Sequence, residues 1–160
     1  MASEIDPITQ LPKADPRVKP LTEGHHGHEC RHLDDMDWEV QRFGGIRSKM
    51  LFHPRPERPT EPNAGVLRYA PGGGHPLHSH YFAQVWYILS GEFDIGGKMY
   101  GPGTMVFHPD PHFEVELKTE TGGDILFVQY QGPTTGKGPI YDGRFNLDEH
   151  ADLDKERLDY

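Results

Sequence analysis

The sequence predicts an all-β protein built from short strands that are joined by tight turns. The 160 residues include 19 glycines and 15 prolines, and 11% of the residues are aromatic. Glycine and proline are typical turn residues, and aromatic side chains fit the half-buried surface of a sheet. Several short apolar segments are each bounded by such turn residues, which favours a β-sandwich or barrel. This length suits one domain with a single core.

The elements follow one another in three parts of the chain. Residues 1–35 are polar and carry prolines at positions 7, 12, 16 and 20, so we expect an extended arm. Residues 36–145 contain the strand signals and form the predicted barrel domain. Residues 146–160 form a charged tail, in which we expect at most a short helix. The strand signals lie in MDWEVQRFGGIRSKMLF, GVLRYAPGGG, HSHYFAQVWYILSGEFDIGG, KMYGPGTMVFHPDPH, FEVELKT and GDILFVQYQG.

Charge and composition exclude several classes of partner. The chain has 25 acidic and 16 basic residues and a net charge of −9, which opposes binding to nucleic acid or to an anionic membrane. The single cysteine, Cys30, excludes an internal disulfide. No apolar run is long enough to cross a bilayer, and the first residues do not resemble a signal peptide. We therefore expect a cytoplasmic protein.

The segment HSHYFAQVWYILSG indicates a metal site. Side chains alternate along a strand, so His78, His80 and Gln84 share one face, and Phe82, Trp86 and Ile88 lie on that same face. Imidazole nitrogens suit Fe, Ni, Cu, Co and Zn. A third histidine from a facing strand would complete a triangle of ligands and leave open positions for a substrate or O2.

The spacing around these histidines resembles the first signature of the cupin superfamily. It runs Gly72, five residues, His78-x-His80, three residues, Gln84, six residues, Gly91. Only Gln84 departs from the pattern, which has a glutamate at this place. The resemblance implies a small jelly-roll fold, a double-stranded β-helix, that holds one metal ion inside. It also implies a homodimer.

The segment YGPGTMVFHPDPHFEVEL resembles the second cupin signature, with a shorter turn. It offers two candidates for the third histidine, His108 and His112. The resemblance favours His112, because this residue starts a strand directly after the turn, as the family's third ligand does.

Gln84 has three interpretations. It is a polar core residue, a weak oxygen ligand, or a residue that orients a bound water. In each case the residues bound to the metal include no acid, so a divalent ion on three neutral imidazoles would keep its full charge of +2. Such a site favours an anionic, chelating substrate.

Glu114 also has alternative interpretations. If strand parity continues from His112, Glu114 faces the site as a late carboxylate ligand or as a base for substrate enolisation. The opposing and preferred interpretation places Phe113, Val115 and Leu117 in the core and Glu114 in water. Only a bulge would reconcile that preference with an inward His112.

The resemblance implies a non-haem Fe(II) dioxygenase that acts on a β-diketone, a hydroxyaryl ketone or a similar substrate with O2. Fe(II) would bind His78, His80 and His112, and Zn, Ni, Mn or Co are alternative ions. An apolar wall of Phe82, Trp86, Ile88, Met105 and Phe107 indicates a small substrate. The alternatives are a non-redox lyase or isomerase and a zinc-binding sensor module.

A second histidine-rich patch, GHHGHECRH, spans His25 to His32 in the predicted arm. Clustered histidine and cysteine can bind zinc, but this spacing matches no established zinc finger. The preferred interpretations are an arm that is merely polar and an arm that packs on a dimer partner. His75, in the glycine turn, is expected at the mouth of the pocket.

Overall fold

The computed structural model describes residues 4–7, 9–18, 26–53, 61–80 and 82–130. The chain divides into two compact units, Met1–Arg31 and His32–Tyr160. In the first unit, Ile5 and Pro12 form an isolated β-bridge, and the Asp6 amide donates to the Leu11 carbonyl at 2.8 Å. The predicted tail, residues 146–160, lies outside the described residues.

The described part of the second unit is almost entirely β-structure, as the sequence predicts. A short 3-10 helix, Leu33–Asp35, precedes the strands. The strands are β1 (Glu39–Val40), β2 (Ile46–Phe52), β3 (Asn63–Tyr69), β4 (Gly74–His75), β5 (His78–His80), β6 (Ala83–Gly91), β7 (Phe93–Ile95), β8 (Lys98–Tyr100), β9 (Met105–His108), β10 (His112–Glu114), β11 (Leu117–Lys118) and β12 (Gly123–Tyr130).

These strands form three sheets with antiparallel pairing throughout. The largest sheet has the order β1-β2-β3-β12-β6-β9, and a second has the order β4-β11-β7-β8. Strands β5 and β10 pair only with each other. The non-sequential order places β12, near the end of the described chain, between β3 and β6.

The core lies on the inner faces of these sheets and follows the alternation of side chains. Along β6, Gln84, Trp86 and Ile88 are buried. The predicted inward face of this segment is therefore confirmed, although the segment is broken into β5 and β6 instead of forming one strand. The buried apolar cluster consists of Phe43, Ile46, Tyr69, Trp86, Ile88, Phe93, Leu117, Ile125 and Phe127.

Strand β9 corrects the predicted apolar wall. Met105 and Phe107 are 67% and 68% exposed, so they face away from the core. Val106 packs against the core instead, and His108 shares its face. Because β9 carries apolar residues on both faces, its hydrophobic pattern could not identify the inner one.

No helix among the described residues combines the length and the apolar character that a membrane span requires.

We expect Gly91→Ala to destabilise the fold more than Gly97→Ala does. Both glycines have positive φ, 82° and 87°, so alanine at either position costs about 1–2 kcal/mol of backbone strain. At Gly91 a Cβ would also lie 1.9 Å from the Gly122 carbonyl oxygen, whereas at Gly97 nothing lies within 4 Å. Urea unfolding of the two variants checks this expectation, and equal losses of stability would contradict it.

Candidate metal centre

The site begins with the ribbon formed by β5 and β10. His80 pairs with His112, and His78 pairs with Glu114. Directly paired residues on antiparallel strands project to the same side, so the ribbon presents all four side chains together. His80, His112 and Glu114 are 5%, 8% and 4% exposed. The ribbon therefore buries a carboxylate among imidazoles.

Four imidazoles converge on the Glu114 carboxylate. Oε2 lies 3.2 Å from Nε2 of His78 and 3.5 Å from Nε2 of His75. Oε1 lies 3.0 Å from Nε2 of His80 and 3.5 Å from Nε2 of His112. Two groups of donor atoms, His75 with His78 and His80 with His112, share this carboxylate, and within each group the atoms lie within 4.8 Å of one another.

The far side of three of these rings is held by backbone carbonyls. Nδ1 of His78 lies 2.8 Å from the carbonyl oxygen of Pro76, and Nδ1 of His75 lies 3.1 Å from the same oxygen. Nδ1 of His112 lies 2.7 Å from the carbonyl oxygen of Pro109. A carbonyl only accepts hydrogen bonds, so Nδ1 carries the proton in each ring. In the neutral ring, Nε2 then turns a lone pair towards the carboxylate. This orientation is the one required of a metal-binding histidine.

The charges in this cluster need a cation between them. Burial raises the pKa of Glu114, but hydrogen bonds from His112, His78 and His80, which these rings donate through Nε2 when they are protonated, outweigh that effect and hold the pKa well below its usual range. The carboxyl is therefore ionised. Burial lowers the pKa of His75, so this ring favours the neutral form.

A divalent metal fits this set of donors. Protons alone would require several imidazolium ions in a buried site, and each buried charge costs desolvation energy. One divalent ion would compensate the carboxylate and accept the lone pairs of neutral imidazoles. Imidazole and carboxylate donors together suit Fe(II), Zn, Ni, Co and Mn.

Three amides connect the carboxylate to the large sheet. Gln84 Nε2 donates to Glu114 Oε1. Gln84 Oε1 accepts from Gln129 Nε2 at 3.0 Å, and Gln129 Oε1 accepts from Asn63 Nδ2 at 2.9 Å. Gln84 thus presents an N–H group to the cluster, so its oxygen is not turned towards a metal.

The structure places His112 in the cluster and His108 beside it. His108 Nδ1 is buried without a hydrogen-bond partner among the described residues, and its ring packs 4.5 Å from the ring of Trp86. Burial is the main cause that lowers the pKa of His108 to about 4, so this ring is neutral at physiological pH. The ring of His108 lies next to the ring of His112, with 4.9 Å between the two ring centroids.

The preferred interpretation of Glu114 is wrong. Phe113 is 68% exposed, whereas Glu114 is buried. Leu117 is nevertheless buried as expected, so the inward parity changes between Glu114 and Leu117. The expectation of a site without an acid is wrong as well, because Glu114 brings to the cluster the negative charge that Gln84 lacks.

His75 is a member of the cluster that the sequence does not predict. The sequence places it at the pocket mouth, but it is 3% exposed and lies in β4, a strand of two residues that carries no alternation signal. Its spacing of three residues from His78 was the only available signal.

The histidine-rich patch forms no metal cluster among the residues that the structure describes there. His26, His28, Cys30 and His32 are exposed, and in the described ranges the only clusters of metal-binding side chains are the two groups around Glu114. His25 lies outside the described residues.

An open cavity leads to the cluster, and its wall is mainly apolar. Gln41 and Arg42, in the loop between β1 and β2, add polar groups to the wall. The apolar lining residues are Phe43, Ile46, Met50, Leu67, Tyr69, Phe82, Trp86 and Phe127.

Comparisons with solved structures identify the fold. An RmlC-like cupin from Shewanella frigidimarina is 24% identical, with a TM-score of 0.55, over 67% of this chain and 94% of that one. An acetylacetone dioxygenase from Acinetobacter johnsonii is 12% identical, with a TM-score of 0.59, over 88% and 100%. The polyketide cyclase RemF from Streptomyces resistomycificus is 16% identical, with a TM-score of 0.54, over 82% and 99%. No protein-family model and no curated protein matches the chain.

The chain therefore has the cupin fold, as the spacing of its histidines and glycines predicts. At these identities the comparisons show the fold and not the activity. The fold and the histidine–glutamate cluster together support a metal-binding cupin.

We expect His112→Ala to abolish tight metal binding and His108→Ala to leave it largely intact. Removal of a residue that only supports a ligand costs about 10–100-fold in metal affinity, so loss of a ligand should cost more than about 100-fold. His108 is the matched control because it is a half-buried histidine whose ring contacts His112. Competition titration with Zn(II) measures both affinities, and a larger loss in His108→Ala would contradict the assignment.

Proposed function

We propose that this chain is a metal-dependent oxygenase that uses Fe(II) and O2 to cleave a small chelating substrate, such as a β-diketone or a hydroxyaryl ketone. One observation carries the proposal: imidazole and carboxylate donors converge in the lining of a mainly apolar cavity. Two histidines and one carboxylate are the donor set of many non-haem Fe(II) oxygenases, and this cluster offers that set together with further imidazoles. Both atoms of O2 would enter the two cleavage products.

The proposed ligands are His78, His80, His112 and Glu114. A bound Fe(II) would supply Lewis acidity and the electrons that O2 activation requires. Gln84 is left out of this set, because its oxygen accepts from Gln129 and its N–H group faces the cluster. The residues of the chain would orient the substrate and exclude water from the site.

The cavity wall supports a small substrate with apolar groups and one anionic group. Phe43, Trp86 and Phe127 offer apolar contact area, and Arg42 brings a positive charge to the same wall. With Glu114 in the ligand set, a divalent metal keeps a charge of +1, so it attracts an enolate less than a site of three histidines would. The positive charge of Arg42 compensates for part of the attraction that is lost in this way.

Arg42→Leu should raise the KM for an anionic diketone by about tenfold or more, because a hydrogen bond to a charged group contributes about 1.5–3 kcal/mol. The kcat should change little if Arg42 binds substrate and transition state equally. Arg47→Leu is the control, since Arg47 is exposed on β2 and does not line the cavity. Steady-state oxygen uptake measures both constants, and equal KM values for the two variants would contradict the proposed role of Arg42.

The proposal itself is tested by metal analysis and oxygen uptake on the same preparation. Chain loaded anaerobically with Fe(II) is supplied with β-diketones and hydroxyaryl ketones. We expect oxygen uptake that depends on one of these substrates, and we expect His78→Ala to lose both bound iron and uptake. Full uptake by His78→Ala, or iron binding without uptake on any of these substrates, would refute the proposed activity.

A second candidate is a non-redox lyase, isomerase or cyclase that uses Zn, Ni or Mn as a Lewis acid. The position of Glu114 favours it, because this residue lines the cavity and a carboxylate beside a substrate can move protons. The fold is also similar to that of the polyketide cyclase. Turnover that continues without O2 would favour this candidate over the oxygenase.

The remaining expectations stay predictions. The exposed apolar residues Met105 and Phe107 on the edge strand β9 are compatible with the predicted homodimer. Light scattering after gel filtration tests that prediction. The cytoplasmic location and the zinc-sensor alternative likewise stay predictions.

A further inference from the structure

Three buried or half-buried amides occupy facing positions on neighbouring strands of the large sheet. Asn63 on β3 pairs with Gln129 on β12, and Gln129 pairs with Gln84 on β6. Asn63 and Gln84 are 0% and 1% exposed. The three side chains form a row that crosses the inner face of the sheet and ends at Glu114.

The hydrogen bonds in this row all run in one direction. Asn63 donates to the oxygen of Gln129, and Gln129 donates to the oxygen of Gln84. Since each glutamine oxygen is occupied by the preceding N–H group, the last N–H group is turned to Glu114 Oε1. The row therefore ends with a donor at Glu114, whose carboxylate only accepts, and Asn63 and Gln129 are both oriented to keep that donor in place.

This row is costly if it serves packing alone. A buried amide without full hydrogen bonding costs free energy, and apolar side chains would fill the same face without that cost. Asn63 Oδ1 is buried without a hydrogen-bond partner among the described residues, so the row is incompletely satisfied at its far end. Each side-chain hydrogen bond along the row is donated in the direction of the carboxylate, which indicates a role at the site.

We propose that Asn63, Gln129 and Gln84 are positioning residues that hold the Glu114 carboxylate turned towards the metal. This inference rests on the proposed metal site. A glutamate at position 84 would instead place a second negative charge within hydrogen-bond distance of Glu114. An amide supplies the donor that the carboxylate needs, which explains why residue 84 is a glutamine.

Gln129→Glu tests the direction of the row. The new carboxylate would still accept from Asn63 but could not donate, so the Gln84 amide would turn its oxygen towards Glu114. We expect the affinity for Zn(II) to fall about 10–100-fold, the usual effect of losing a residue that supports a metal ligand. Asn63→Asp removes the donor one step further away and should give a smaller loss of the same sign.

Gln41→Glu is the matched control. Gln41 lines the same cavity but donates to Ser48 instead of joining the row. The control adds the same negative charge to the cavity, so its affinity for Zn(II) should not fall. Thermal unfolding without metal shows whether each variant is folded, and Asn63→Asp carries the test if Gln129→Glu fails to fold.

An exchange of the two side chains gives a second test. Gln84 Nε2 already lies 3.3 Å from His112 Nε2, so a carboxylate at position 84 would reach the same cluster. Glu114→Gln alone should lose more than about 100-fold in Zn(II) affinity, and Gln84→Glu combined with Glu114→Gln should recover at least about tenfold of that loss. In the double variant, the carboxylate at position 84 still accepts from Gln129, and the amide at position 114 becomes the donor.

The outcomes separate this inference from the proposed activity. Unchanged Zn(II) affinity in folded Gln129→Glu and Asn63→Asp, or no recovery in the exchanged variant, would overturn the positioning role. Zn(II) binding with these losses, but no oxygen uptake with Fe(II), would refute the oxygenase and support the row. Absence of Zn(II) binding by the unaltered chain would overturn both.

Discussion

The burial of the Glu114 carboxylate among four imidazoles is the interaction on which the rest of the site depends. A carboxylate that is 4% exposed is tolerated only when its charge is compensated. The β5–β10 ribbon brings the charge and its partners together, and the carbonyls of Pro76 and Pro109 hold the rings with Nε2 inward. Each of these features is explained if the cluster holds a divalent cation.

The same alternation of side chains builds the core and the polar cluster. Along β6 the inner face passes from Ile88 and Trp86, in the core, to Gln84, at the cluster. Gln84 continues into Gln129 and Asn63 on the neighbouring strands. A polar row at one end of an apolar face thus connects the large sheet to the two-stranded ribbon. The apolar wall and the polar cluster both line the cavity.

The sequence predicted the fold and half of the site because those features depend on local spacing. The interval from Gly72 to Gly91 and the alternation around His78 and His80 are local signals. The orientation of Glu114 could not be predicted in the same way. Glu114 and Leu117 are both buried, so the strict alternation of inward and outward side chains is broken between them. That change depends on pairing with β5, which is a tertiary contact. Met105 was misplaced for a related reason, since both faces of β9 are apolar.

The most direct test of a metal centre built around Glu114 is an anomalous difference map from crystals grown with Mn(II). We expect a peak in contact with a Glu114 oxygen and with Nε2 of His78, His80 and His112. Ordered Glu114 and histidines without a peak, or a peak that does not contact Glu114, would contradict a metal centre built around Glu114.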